Sequence, residues 1–375
     1  MSVKPSRFLS FIFVLCCIVL SSSAFAVIDT GAAVVKLRHV SQGGCNEGGV
    51  PLNNCFSDLA SLNSWISTRA PSSSKPLLVE IGPGIFDGTF TCSSLGNITL
   101  RGSGRTNTTI GSASASFTAG MTLTNCTNLN VSSLKVVGTY GAIQWTGTGT
   151  TTWTDVDVVG QGRGWYETDG NCAQAQTKHY WFSSRIEAQP LFTLVIPYNA
   201  YCGESWFFGS ELLSSATSNW GSVHPITATG TGEAHIYGSV LRALVTGAGN
   251  APVSAAYASN GGHIHIHGTG IDILSDVAVS IAALRADTGG VIHANGAAYN
   301  LKTAGGTVTR IVKDSSTATH IHAPYLWEEH SNPPNIASAN GADMAVVTDA
   351  NQPHLLIYSA NCISKWFDTS TNACH

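Results

Sequence analysis

Charge is scarce in this chain. Of its 375 residues, 18 are Lys or Arg and 22 are Asp or Glu, together only 11%. Hydrophobic residues reach 43%, whereas a disordered chain needs low hydrophobicity and high charge, so extended disorder is excluded. No basic stripe is present to displace counterions from phosphates, which excludes nucleic acid as a partner. The 39 glycines do not recur at every third position, so the chain is not collagen-like. Beyond residue 26 no apolar run approaches the ~20 residues needed to span a bilayer, and no transmembrane segment is expected. No two cysteines past that point show C-x-x-C spacing, which argues against a structural zinc site. After Pro76 no further helical period appears.

What is present begins with an export signal. Lys4 and Arg7 precede an apolar run from Phe8 to Leu20, and Ala24-Phe25-Ala26 forms a small-x-small cleavage site. Secretion to the cell exterior, the cell surface or a periplasm is expected. Eight cysteines follow: Cys45, Cys55, Cys92, Cys126, Cys172, Cys202, Cys362 and Cys374. An even number in an exported chain favours disulfides. Sequence order suggests Cys45–Cys55, Cys172–Cys202 and Cys362–Cys374. Cys92 and Cys126 share one repeat position, so they are expected to face each other from adjacent coils, bridged or as a reduced stack.

The repeat decides the architecture. Cys92-Ser-Ser-Leu95-Gly-Asn-Ile98 aligns with Cys126-Thr-Asn-Leu129-Asn-Val131. Ala234-His235-Ile236-Tyr237-Gly238 aligns with Ile264-His265-Ile266-His267-Gly268, then Ile292-His293-Ala294-Asn295-Gly296, then Thr319-His320-Ile321-His322-Ala323. Units of strands and turns this short cannot bury an apolar face alone and must stack on their neighbours. The expected fold is all-β, a single-stranded right-handed parallel β-helix with a short N-terminal capping helix. Residues 1–26 read as the signal peptide, 27–75 as an N-terminal segment with that helix, 76–330 as the β-helix, and 331–375 as a C-terminal cap or tail. Phe56, Leu59, Leu62, Trp65 and Ile66 supply the helical period, with Ser57 as the expected N-cap.

Residues 76–88 (Pro76-Leu-Leu-Val-Glu-Ile-Gly-Pro-Gly-Ile-Phe-Asp-Gly88), 97–104 (Asn97-Ile-Thr-Leu-Arg-Gly-Ser-Gly104) and Thr108-Thr-Ile110 resemble the opening coils of pectinesterases. More broadly the chain is similar to the pectin-lyase-like right-handed β-helix superfamily. That resemblance implies a pair of catalytic aspartates with assisting glutamines and an arginine. Where the aspartates would fall, this chain carries Gln161-Gly162-Arg163-Gly164 and Gln189-Pro190-Leu191-Phe192. Neither carboxylate carries over, so the pectinesterase catalytic set is not expected.

Other residues carry the candidate chemistry. Asp155 and Asp157, at i and i+2 of a strand, are expected to face outward together, as a calcium site or as acids of a glycosidase. Glu167 and Asp169 lie in an expected loop with Trp165 and Tyr166, where aromatic rings can floor a sugar site. Alternation with Ile264 and Ile266 turns His263, His265 and His267 to solvent. By the repeat, His235, His265, His293 and His320 form one external ladder, and Tyr237, His267, Asn295 and His322 its neighbour. Such a ladder offers a glycan-binding face, a divalent metal site for Zn²⁺ or Cu²⁺, or a plain polar surface. Repulsion between neighbouring imidazolium ions is expected to lower the pKa of His265, His293 and His320. No cofactor is called for. The expected partner is a polysaccharide or cell-surface glycan, bound without catalysis. The alternative is a carbohydrate-active esterase, lyase or glycosidase using Asp155, Asp157, Glu167 or Asp169. The oligomeric state is left open.

Overall fold

The computed structural model describes residues 32–323, apart from 48–49, 52–53, 113–117, 168–176, 191–193, 218–219, 248, 250–252 and 315–317. Beyond 323 it describes only the backbone of five strands. Among the described residues, strands of 2 to 15 residues, the longest bent at a corner, recur between turns, and 27 of them join one continuous hydrogen-bonded network. Every pairing between coils is parallel, and each strand pairs with its counterpart one coil later. The chain is therefore a right-handed parallel β-helix. Three sheets run along it. The first passes from Ala33–Leu37 to His320–His322, the second from Gly84–Phe86 to Ala298–Thr303, and the third from Phe90–Ser93 to Val308–Lys313.

A one-residue bend joins the first sheet to the second. Ser133, Asp155 and Ser183 take positive φ at this corner, and Gly209, Gly238, Gly268 and Gly296 do so in later coils. Glycine pays no Cβ penalty in that conformation, and short polar side chains tolerate it best among the rest. The next residue carries a buried hydroxyl in several coils: Ser184, Ser210, Ser239 and Thr269. Each donates to the carbonyl two residues before it. Ser184, Ser210 and Ser239 also accept a backbone N–H from the preceding coil. The corner is thus satisfied without water, as buried backbone requires.

Inside, side chains in register form ladders. Val79, Leu100, Val131, Trp153, Trp181, Phe207, Ile236, Ile266 and Ala294 succeed one another in a single row, each at most 3% exposed. The row swells from aliphatic to aromatic in the middle coils, where Trp153 stacks on Trp181 at 4.9 Å. Cys92 and Cys126 are bridged across adjacent coils with Cα atoms 5.9 Å apart, and Cys45 is bridged to Cys55. Cys202 is disulfide-bonded. Cys172 and Cys362 lie outside the described residues, as does the side chain of Cys374.

Helix α1 spans Leu59–Arg69 and buries Leu59, Leu62 and Ile66. Its N-cap is Asp58, whose carboxylate accepts from Ser61 N at 2.7 Å, rather than Ser57. A carboxylate there also meets the positive end of the helix dipole, which a hydroxyl does less well. Asn63 on α1 donates to Thr89 O and accepts from Thr91 N. This amide covers the open edge of the first strand of the third sheet, an edge that would otherwise invite another chain. After the last coil, Glu328–His330 pairs in parallel with Met344–Asp349, followed by antiparallel strands Gln352–Tyr358, Trp366–Asp368 and Ala373–Cys374 in a separate sheet.

Candidate functional site

A cleft of about 390 Å³ opens on the third sheet, lined by Arg163, Tyr166, Glu167, Asn199, Tyr201, His224 and Tyr257, with Ile196, Ser222, Thr227 and Thr229 between them. Its floor is an outward row: Tyr166, Asn199, Thr227 and Tyr257 stand in register on successive coils. Thr227 donates to Asn199 Oδ1 at 2.6 Å. The Tyr257 hydroxyl donates to the Asp287 carboxylate at 2.8 Å, which fixes its ring. Arg163 begins the strand Arg163–Glu167, its guanidinium 4.0 Å over the Tyr166 ring. Its Nε and Nη1 are buried and have no hydrogen-bond partner among the described residues.

Glu167 is the buried acid of the cleft, 4% exposed. It shares the inward parity of Trp165, and its carboxylate is held by three donors. Trp165 Nε1 reaches Oε1 at 3.1 Å, and the backbone N–H groups of Tyr201 and Cys202 each reach Oε2 at 2.8 Å. A bulge between Ala200 and Cys202 turns both amides toward it; bulges re-aim backbone in this way beside sites. Desolvation outweighs these hydrogen bonds and pushes the Glu167 pKa up to about 7. Behind it, His179 Nε2 lies 3.7 Å from Oε1, and its Nδ1 meets Thr151 Oγ1 at 2.9 Å. Burial lowers the His179 pKa to about 3, so the pair holds a neutral imidazole facing a carboxyl that is largely protonated below pH 7. His224, bonded through Nδ1 to Ser254 Oγ at 2.8 Å, is likewise lowered to about 4 by burial.

Of the residues singled out in the sequence, Glu167 and Tyr166 are in this cleft. Trp165 is not a sugar-facing ring: it lies in a strand, wholly buried, stacked on Trp145 and Tyr198. Inward parity, not loop geometry, governs it. Asp169 lies outside the described residues. Asp155 and Asp157 do not share a face, because the strand bends at Asp155. There Asp155 meets Arg105 at 3.5 Å, while Asp157 meets Lys135 and Arg185. Gln161 and Gln189, at the positions of the pectinesterase motif, are register partners on adjacent coils. Arg163, Asn199, Tyr201, His224, Thr227 and Tyr257 were not singled out as cleft residues by the sequence, although Tyr166, Asn199, Thr227 and Tyr257 recur at coil spacing.

A second array lies on the outer face of the first sheet. Tyr180, Trp206, His235, His265, His293 and His322 occupy one row. Trp206 stacks on His235 at 3.9 Å, His235 on His265 at 4.7 Å and His265 on His293 at 5.1 Å, all within 11° of parallel. The ladder ends on His322, not His320, because the last coil is one residue pair longer than the repeat implied. His320 pairs with Val291, in the row of Glu233 and His263. Phe208, Tyr237 and His267 stack in a parallel row beside it. The pKa values of His235, His265 and His293 are all lowered, and desolvation is the largest cause; repulsion by neighbouring histidines comes after it for His265 and His293. Between the rings sits Glu233, its Oε1 3.1 Å from His235 Nε2 and 3.0 Å from His265 Nε2.

No family model matches this chain. No curated protein matches it either. Several solved structures are similar in fold. Pectin methylesterase PemA from Erwinia chrysanthemi is 12% identical with a TM-score of 0.42, over 78% of this chain and 92% of that one. An alginate lyase from Paenibacillus sp. str. FPU-7 is 12% identical with a TM-score of 0.39, over 72% and 98%. ORF18 of Geobacillus virus E2 is 8% identical with a TM-score of 0.37, over 96% and 71%. Likeness at this level carries no argument about activity, which must come from the cleft.

Proposed function

We propose that this protein is an exported β-helix that binds an acidic polysaccharide in the third-sheet cleft, without the pectinesterase catalytic set. One observation carries the reading: Arg163, in the cleft wall, holds two buried guanidinium nitrogens with no acceptor among the described residues. An unpaired buried donor on a cation is costly, and a negatively charged acceptor such as a carboxylate satisfies it more strongly than a neutral hydroxyl does. Around it, Tyr166, Tyr201 and Tyr257 offer ring faces, while Asn199 and Thr229 offer polar atoms of the kind that orient hydroxyls. The disulfides at Cys45–Cys55 and Cys92–Cys126 suit an oxidising compartment, in keeping with export.

Calorimetric titration with oligogalacturonate, oligo-alginate and a neutral β-glucan tests it. The acidic chains should bind and the glucan should not, and Arg163→Gln should weaken binding at least about tenfold, the loss of one charge-assisted hydrogen bond. Equal binding of all three, or an Arg163→Gln variant that binds as the wild type does, would refute the reading.

Catalysis is favoured by the acidity of Glu167, a carboxyl able to give up a proton near neutral pH. Paired-carboxylate hydrolysis needs a second acid, yet Glu167 is the one carboxylate among the described lining residues. New reducing ends or unsaturated products formed by the wild type and not by Glu167→Gln would move the reading from binding to catalysis.

A further inference from the structure

The first-sheet ladder carries an inference independent of the cleft. We propose that Glu233, His235 and His265 form a binding site for a divalent transition-metal ion that staples two coils of the β-helix together. Glu233 and His235 belong to one strand and His265 to the next coil, in register with His235. Donor atoms of all three lie within 4.8 Å of one another. Ligands at ~2.0–2.2 Å from one ion stand a little over 3 Å apart, and Glu233 Oε1 already lies 3.1 and 3.0 Å from the two imidazole nitrogens.

Two further observations favour a ligand at this place. His265 Nε2 is buried and, among the described residues, has the Glu233 carboxylate at 3.0 Å but no hydrogen bond of good geometry. Stacking of His235 between Trp206 and His265, and of His265 between His235 and His293, keeps the two imidazoles side by side next to Glu233. Two imidazoles and one carboxylate form a borderline N/O set suited to Zn²⁺, Cu²⁺ or Ni²⁺, and poorly suited to Ca²⁺ or Mg²⁺, which take oxygen. Three protein ligands leave a fourth position for water. The side chains are partly exposed, at 13% for His235, 25% for His265 and 29% for Glu233, so an ion has a path in. Parallel rings aim their lone pairs side by side, and binding therefore requires both to rotate out of the 9° stack toward one centre.

The full chain, stripped with chelator, is titrated with ZnCl₂ by calorimetry and with CuCl₂ by tryptophan fluorescence, since Trp206 sits against His235. Zn²⁺ should bind with one saturable site and raise Tm, whereas Mg²⁺ should do neither. Cu²⁺ should quench fluorescence, with the quenching reduced in Trp206→Phe. Glu233→Gln, His235→Gln and His265→Gln should each weaken Zn²⁺ at least about 100-fold, because even outer-shell changes cost 10–100-fold. His293→Gln should stay within about twofold. Thermal unfolding of each metal-free variant checks that it folds. The proposal is overturned by absence of saturable binding, by binding that survives both Glu233→Gln and His265→Gln, or by a site that needs His293 and not Glu233.

Discussion

The two outward arrays are built by the same parallel register and use it in opposite ways. On the first sheet identical rings repeat coil after coil, partly exposed, so what the face can do grows with the number of rungs. On the third sheet the row changes residue at every coil, and polar groups sink below it: Glu167 at 4% exposure, His224 at 6% and His179 at 0%. Repetition makes a surface; interrupted repetition makes a pocket with individually placed groups. The cleft also lies outside the widest part of the core, where Trp165, Trp181 and Tyr198 pack against one another. Large interior rings and a bulge at Tyr201 are the local irregularities that let a cleft form in a periodic wall.

Tryptophan substitutions give the largest contrast between the two faces. Trp165→Ala empties a fully buried site behind the cleft and should cost about 3–5 kcal/mol, as core aromatic truncations do. Trp206→Ala removes a partly buried outer ring stacked on His235 at 3.9 Å and flanked by Tyr180 and Tyr237 at 6.4 and 6.2 Å, and should cost less, about 1–1.5 kcal/mol. Urea unfolding of both variants measures this. Equal costs would mean that the outer ladder supports the coil as strongly as the core does, and the distinction between the faces would fall.

How much was legible beforehand follows the same division. Strict repetition was easy to read: Ile264 and Ile266 inward, His265 outward, Cys92 opposite Cys126. Errors arose where the period slips. The repeat alone ends the ladder on His320, because Thr319-His320-Ile321-His322 matches it in two frames, and only hydrogen-bonded register selects His322. Asp155 reads as a strand residue by alternation, yet it occupies the left-handed corner, a position filled by glycine in later coils. Trp165 and Glu167 alternate with Tyr166, but nothing local tells which parity faces in. Arg163, Asn199, His224 and Tyr257 meet only after coiling, since they lie up to three coils apart in sequence.

A smaller effect should separate the faces by pH. Glu167 has a folded pKa of about 7 against an ordinary value of 4.5. The folded protein keeps that proton where the unfolded chain has lost it, so stability from this group is full below pH 4.5 and is lost as pH rises toward 7. At about 1.4 kcal/mol per pKa unit the swing is on the order of 3 kcal/mol. His179 and His224, lowered to about 3 and 4, work the other way, since their contribution is present above pH 6.5 and falls away on acidification. Both histidines remain in Glu167→Gln, so subtracting the two stability profiles isolates the acid. Tyr198, whose pKa is raised by burial and by Glu167, stays protonated throughout that window. The wild type should lose ground to the variant between pH 4.5 and 7. A flat difference would show that Glu167 ionises as it does in water and that the cleft floor is wet.

The smallest effect tests the ladder's register itself. His293 faces His265 at 5.1 Å and His322 at 6.1 Å, whereas His320 stands one row away, opposite Val291. Rings stacked within a few ångströms shift one another's resonances, and a ring in the next row does so less. His293→Gln should therefore move the ring signals of both His265 and His322 in NMR spectra at fixed pH, while His320→Gln should leave His265 in place. Neither change touches the core, so stability should stay within about 0.5 kcal/mol in both variants. If His320→Gln moves the His265 signals as far as His293→Gln does, the last coil pairs in the other frame, and the row ends on His320 after all.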